Sequence, residues 1–229
     1  MSGIAGVIAN DSARYSLFWS CMDHLHLPDG WRKEHLIGGD WCGARNSLCE
    51  LTLESGAEWL WFMDDDHAFS PDLLTKLLSH NLPLVVPVCL TRSAPFEPVT
   101  FTENLDDSDR PIRRRLSLPE QSSDGLVELT SGGSAGMLIH RTVLLTVKRP
   151  WFEYGFVSED LMFCDKAKAK GFDIYCDLSA RLGHLTTAIV EPVVHEGEWG
   201  VGVRIGSVGA TTSVVLPIEA SSLSEKVLV

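Results

Sequence analysis

The sequence has no CxxC pair, no internal repeat, no low-complexity tract and few basic residues. It also lacks any apolar run approaching the roughly 20 residues needed to cross a bilayer. Without a CxxC pair, a zinc knuckle or dithiol redox motif is not expected. The six cysteines (Cys21, Cys42, Cys49, Cys89, Cys164 and Cys176) are scattered, and Cys89, Cys164 and Cys176 fall in apolar or amphipathic segments. They are expected as buried free thiols in a reducing compartment. Residues 1–10 lack a basic start and a long apolar stretch, so no secretory signal is expected and the protein is predicted to be soluble and cytoplasmic. Only 19 basic residues stand against 31 acidic ones, for a net charge of −12. Such a surface repels phosphate backbones, which makes duplex nucleic acid a poor partner. Arg110, Arg113, Arg114 and Arg115 are a local exception, read either as a solvated loop or as a phosphate or acceptor contact. Neither a P-loop nor a dinucleotide fingerprint at the first strand is present.

What is present is an ordinary globular chain of 229 residues, 45% hydrophobic, with a mean hydropathy of +0.07. That length suits one α/β domain with a short appendage. Strand-like runs at 4–9, 34–37, 58–63 and 84–89 alternate with helical patterns at 13–25, 41–55 and from Ser70-Pro71 onward. The run EWLWFM at 58–63 is apolar nearly throughout, as expected of a strand covered on both faces. Ser70 is predicted to cap the next helix, with Pro71 at its first position and Leu73, Leu74, Leu77 and Leu78 on its buried face. Residues 103–124 read as a long surface loop or flap, and 125–130 and 134–140 as paired strands around Ser131-Gly132-Gly133. A short helix is predicted at 141–147, a better one at 158–170 capped by Ser158, and a strand at 172–176. Beyond residue 190 strand and loop alternate weakly. These patterns give an α/β fold with a mixed, mainly parallel central sheet flanked by helices and a β-rich C-terminal extension.

Chemistry concentrates in Asp64-Asp65-Asp66, at the carboxyl end of the buried strand. Ligand sites gather at such strand ends in open α/β sheets, and three adjacent carboxylates there call for a cation. Strand alternation directs Asp64 and Asp66 one way and Asp65 the other. Asp66 is then placed against a divalent ion, with Asp64 on a ribose hydroxyl or a metal-bound water. An acidic helix-capping loop is the plainer reading. His184 is the candidate distal ligand, and a mixed oxygen and imidazole set favours Mn²⁺, with Mg²⁺ as competitor. Glu159-Asp160 lies at a predicted helix N-terminus, where capping and a general-base role for Asp160 both fit. Trp151 is either a stacking platform for a sugar ring or a core residue. Arg45-Asn46 either reaches a diphosphate or forms a surface pair, and the glycines at 132 and 133 let backbone approach a ligand closely.

Taken in order, Ala44-Arg45-Asn46, WLWFMDDDHAFSP, SGGSAGMLIHR, residues 150–171 and residues 177–184 resemble the family 2-like glycosyltransferases of GT-A (Rossmann-like) fold, including small bacteriophage-encoded members. The resemblance implies a nucleotide-sugar donor, UDP-linked, and a hydroxyl acceptor on a protein, modified nucleobase, glycan or lipid. Asp64, Asp65, Arg45, Gly132, Gly133 and Trp151 would face the donor. Asp66, His184 and Asp64 would hold the metal, and Asp160, with Glu159 beside it, would serve as the base of an inverting reaction. It also implies a glycosyltransferase domain over 1–189, with a donor half at 1–102 and an acceptor half at 103–189, then an extension over 190–229. A phage-encoded chain would work in the host cytoplasm. The competing expectations are a metal-dependent nucleotidyltransferase or phosphohydrolase, and an inactive carbohydrate-binding or virion-associated module.

Overall fold

Period-two alternation along the central strands sorts their side chains onto two covered faces. Ile4, Ile8, Leu60 and Phe62 enter one apolar cluster, while Ala5, Val7, Trp59, Trp61 and Met63 enter the other. A computed structural model of the chain describes residues 1–9, 15–93, 95–105, 111–195, 197–207 and 210–217. Its elements run β1 (Gly3–Ala9), α1 (Ser16–His24), β2 (Trp31–Ile37), α2 (Trp41–Glu54), β3 (Trp59–Asp64), β4 (His67–Phe69), α3 (Leu73–Ser79) and β5 (Leu84–Cys89). They continue with β6 (Thr100–Leu105), β7 (Pro111–Arg115), a single 3₁₀ turn (Leu118–Glu120), β8 (Leu126–Leu129), β9 (Ser131–Gly132), β10 (Leu138–His140), α4 (Arg141–Thr146), α5 (Glu159–Lys168), β11 (Ile174–His184), β12 (Ala188–His195), β13 (Glu198–Ser207) and β14 (Ala210–Pro217).

The large sheet has the order β2-β1-β3-β10-β5-β11-β4, with β8 also pairing β11. Strands β2, β1 and β3 are mutually parallel, as are β5 and β11, while β10 lies antiparallel between β3 and β5. Helices α2, α4 and α5 supply Leu48, Cys49, Val143, Leu144, Phe163 and Cys164 to one face. Helices α1 and α3 supply Phe18, Met22, Leu73, Leu74 and Leu77 to the other. Trp61 and Phe62 are fully buried, and each such aromatic contributes roughly 1.5–3 kcal/mol by leaving water. The fold is therefore α/β with a mixed sheet, as the strand and helix pattern predicts, but not a mainly parallel one: the β3–β10, β10–β5, β11–β4 and β11–β8 pairings are antiparallel. A second compact unit, residues 91–96 with 186–229, carries the antiparallel meander β12-β13-β14. Residues 1–90 and 97–185 make up the first unit.

Several local expectations change. Residues 125–130 and 134–140 do not pair with each other. Strand β8 joins β11 and β10 inserts into the sheet, because Leu138 and Ile139 are apolar enough to be covered on both faces. Part of the expected flap is the antiparallel pair β6 and β7. In it Arg113 pairs with Asp165 and Arg115 with Glu97, whereas Arg110 lies outside the described residues. Helix α3 begins after Asp72 rather than at Ser70. The Pro71 carbonyl is turned to accept from the His26 amide at 2.8 Å, and Ser70 closes a turn with Leu73. Polar residues 10 and 11 and the predicted helix start at 13 also lie outside the described residues.

Strand β11 is longer than predicted because of an irregularity. It pairs with β5 through Asp177↔Pro87 and then resumes at Arg181↔Val88, leaving residues 178–180 out of register. The buried Asp177 side chain organises this bulge. Its Oδ1 accepts from the Ser179 amide at 2.8 Å, the Ser179 hydroxyl at 2.7 Å and the Ala180 amide at 3.3 Å. Its Oδ2 lies 2.8 Å from His80 Nε2. Past the bulge, β11 aligns with the short strand β4.

Candidate functional site

Strand β3 stops at Asp64, and Asp65-Asp66 form the turn into β4. Strand alternation therefore does not carry through the three aspartates, and each has its own environment. Asp64 receives the Arg45 guanidinium, with Nη2 at 3.2 and 3.3 Å from its two oxygens. Arg45 projects from α2, is buried, and also reaches Glu159 Oε1 from Nη1 at 3.0 Å. Burial raises the Asp64 carboxyl above its usual range despite Arg45, and the charges of Asp66 and Asp160 push the same way. Asp65 is buried, and its amide donates to the Ile8 carbonyl at 3.2 Å, stitching the turn to β1.

Asp66 joins a different group. Its Oδ1 lies 2.9 Å from His67 Nδ1 and its Oδ2 lies 3.5 Å from His184 Nε2. Its carbonyl accepts from the Leu185 amide at 2.8 Å. The two imidazoles come from facing strands: His184 of β11 is the register partner of His67 of β4. They stack with centroids 4.6 Å apart and planes 23° apart. Leu182, two residues earlier, is the register partner of Cys89 at the end of β5. One strand thus draws His67 and Cys89 to His184, and the ligand atoms of these three residues all lie within 4.8 Å of one another. His184 Nδ1 donates to the Leu90 carbonyl at 3.0 Å, and the Cys89 thiol donates to the same oxygen at 3.5 Å.

The electrostatics follow from this clustering. Burial works against ionisation of Asp66, but hydrogen bonds from His184 and His67 outweigh it and hold the carboxyl well below the usual range. Burial likewise opposes charge on His67, yet Asp66 pushes it up to about 10, and His184 rises to about 9 by the same means. The Cys89 thiol is lowered by the two histidines against the opposing effect of its burial.

Asp160 approaches from another direction. The Ser158 hydroxyl, expected to cap α5, instead donates to Asp160 Oδ1, which also accepts from the Leu161 amide at 2.8 Å. The Oδ2 atom faces Gly133, where an added Cβ would stand 3.7 Å from it. Asp66, Asp64, Asp160, Gly133 and His184 therefore belong to the same compact unit, linked through the carboxyl end of β3.

Other expected site residues lie elsewhere. Trp151 is buried, its Nε1 donating to the Leu144 carbonyl at 2.9 Å. It packs in the core and offers no face to a sugar. Asn46 is neither a surface residue nor a diphosphate contact: it donates to the Cys42 and Phe152 carbonyls and accepts from the Trp151 and Phe152 amides. Arg45 is committed to Asp64 and Glu159, and Glu159 is thereby an ion-pair partner. Gly132 is buried, with Val86 Cγ2 only 3.1 Å from an added Cβ, so packing accounts for its lack of a side chain. The position of His67 directly after the aspartates is the one signal pointing to it. Nothing else in the sequence marks His67 or Cys89 as a ligand.

No family model matches the sequence, and no curated protein matches it either. Among solved structures, the chain is similar to the crystal structure of A197 from STIV. The two share 14% identity, with a TM-score of 0.54 over 99% of this chain and 100% of that one. At this identity the likeness is one of fold.

Proposed function

We propose that the chain is a metal-dependent glycosyltransferase of GT-A architecture that moves a sugar from a nucleotide-sugar donor, UDP-linked, to a hydroxyl acceptor. The observation that carries this reading is the meeting of Asp66 and His184. A carboxylate from the turn after β3 and an imidazole from the end of β11 stand 3.5 Å apart at the carboxyl ends of parallel strands. That is where open α/β sheets place their ligands. The donor set fits a divalent ion at Asp66 and His184, for which Mn²⁺ is the expectation from sequence, and the ion would offset charge on the departing diphosphate.

The chain's own residues supply the rest. Arg45 holds Asp64 and Glu159 in fixed rotamers, which positions the first turn of α5 against the end of β3. Asp160 is oriented by the Ser158 hydroxyl and the Leu161 amide through Oδ1, leaving Oδ2 directed at the Gly133 side. From there it takes the proton of an acceptor hydroxyl as that oxygen attacks the anomeric carbon, with inversion. Gly133 keeps this approach open, since a Cβ there would crowd Val99 at 3.2 Å and come into contact with Asp160 Oδ2 at 3.7 Å. A host-cytoplasmic role as a phage-encoded enzyme is part of the same reading, and the fold likeness to a viral protein is compatible with it.

The test is a donor screen. UDP-sugar consumption that needs a divalent ion, without turnover of nucleoside triphosphates, supports the reading. Triphosphate turnover, or sugar binding indifferent to chelator, overturns it in favour of a nucleotidyltransferase or an inactive binding module.

A further inference from the structure

His67, Cys89 and His184 reach one point from three strands, their ligand atoms all within 4.8 Å of one another. The second nitrogens of both rings are already engaged. His67 Nδ1 lies 2.9 Å from Asp66 Oδ1, and His184 Nδ1 lies 3.0 Å from the Leu90 carbonyl. A ring that donates from Nδ1 to a carboxylate or a carbonyl offers Nε2 to a metal once that nitrogen has lost its proton, which is how metal-bound histidines are held. His184 Nε2 otherwise faces Asp66 Oδ2 at 3.5 Å. The third group is the Cys89 thiol, which faces the two imidazoles and whose contact to the Leu90 carbonyl is a long 3.5 Å. His67 and Cys89 are buried while His184 remains partly accessible, so the point is walled on one side and approachable on another.

We propose that His67, Cys89 and His184 form a single-ion site for a thiophilic divalent transition metal of the zinc class, with Asp66 orienting His67. A thiolate with two imidazoles selects zinc or its near relatives over Mn²⁺ and Mg²⁺, which prefer oxygen. Three protein ligands leave a fourth tetrahedral position for water or a ligand oxygen, the arrangement of an open rather than a purely structural site. On binding, the Cys89 thiol and the His67 and His184 Nε2 atoms release their protons to solvent, and the sulfur coordinates as thiolate. This inference deepens the metal-dependent reading above and rests on it only for the location; it replaces manganese by a softer ion.

The experiment is titration of the metal-free full-length chain with Co²⁺, followed by displacement with Zn²⁺. The expected result is one Co²⁺ per chain with a thiolate-to-cobalt charge-transfer band that Zn²⁺ abolishes. Cys89→Ser should remove the band and weaken Zn²⁺ binding by more than about 100-fold, beyond the roughly 10–100-fold cost of losing an outer partner. His67→Asn should weaken it comparably. The wild-type spectrum requires no variant to fold: Co²⁺ bound without a thiolate band overturns the site, as does unchanged Zn²⁺ affinity in Cys89→Ser. Either result leaves the transferase reading intact, with the ion on Asp66 and His184. A thiolate band in a chain that consumes no UDP-sugar supports the site and overturns only the transferase reading.

Discussion

His67 and His184 stand directly opposite each other in an antiparallel strand pair, with stacked rings that share the carboxylate of Asp66. Replacing Asp66 removes the carboxylate that contacts both. Asp66→Ala is expected to abolish calorimetrically detected binding of UDP in the presence of a divalent ion. Wild-type-like affinity would remove Asp66 from the ion site.

Asp160→Asn keeps the shape of the first turn of α5 and loses the basic oxygen. Donor binding should stay near wild type while sugar transfer falls by roughly 10²–10⁴-fold, the usual contribution of a general base. Normal turnover in this variant would rule out Asp160 as the base.

Arg45 is a buried cation between two carboxylates. Arg45→Met leaves Asp64 and Glu159 without their partner and should lower stability to urea by about 3–5 kcal/mol. Adding Asp64→Asn to that background should recover part of the loss. No recovery would mean that Arg45 acts through packing alone.

Asp177 lies below the ordinary carboxylate range because hydrogen bonds from His80 and Ser179 outweigh the opposing effect of burial. A depressed folded value contributes stability above the unfolded pKa of about 3.9, which is lost as pH falls through the folded value. Asp177→Asn should therefore cost roughly 1–3 kcal/mol near neutrality, with the difference from wild type shrinking below about pH 4. A pH-independent difference would show that the cost lies in geometry rather than charge.

Gly136 turns the chain into β10 with φ +75, and an added Cβ would stand 2.4 Å from Pro87 Cγ. Its carbonyl accepts from Trp61 Nε1 at 3.0 Å. Gly136→Ala should lower stability by roughly 1–3 kcal/mol, from backbone strain and overpacking together. An unchanged melting temperature would contradict this.

Much of the sheet is legible because its signals are local. The EWLWFM run, the apolar stretches at 4–9 and 84–89 and the leucines of α3 declare their burial through spacing alone. The insertion of β10 is not local, since a three-residue strand is too short to show which neighbours it will find. Asp66 and His184 can be picked out as chemically unusual in their segments. His67 and Cys89 cannot, because a histidine after an acidic run and a cysteine in an apolar strand each have ordinary explanations. Their convergence depends on β11 crossing from β5 to β4, which no single segment encodes. Trp151 and Asn46 fail as ligand contacts for the converse reason: their polar atoms are consumed by backbone partners in segments distant in sequence.

The bulge at residues 178–180 makes the length of this segment matter to the site in a way that its composition does not. Strand side chains alternate with a period of two, so one residue added or removed there would turn His184, and the core residue Leu182 with it, to the opposite face. A chain altered in this way would bring only two of the three ligating side chains together, whatever its composition.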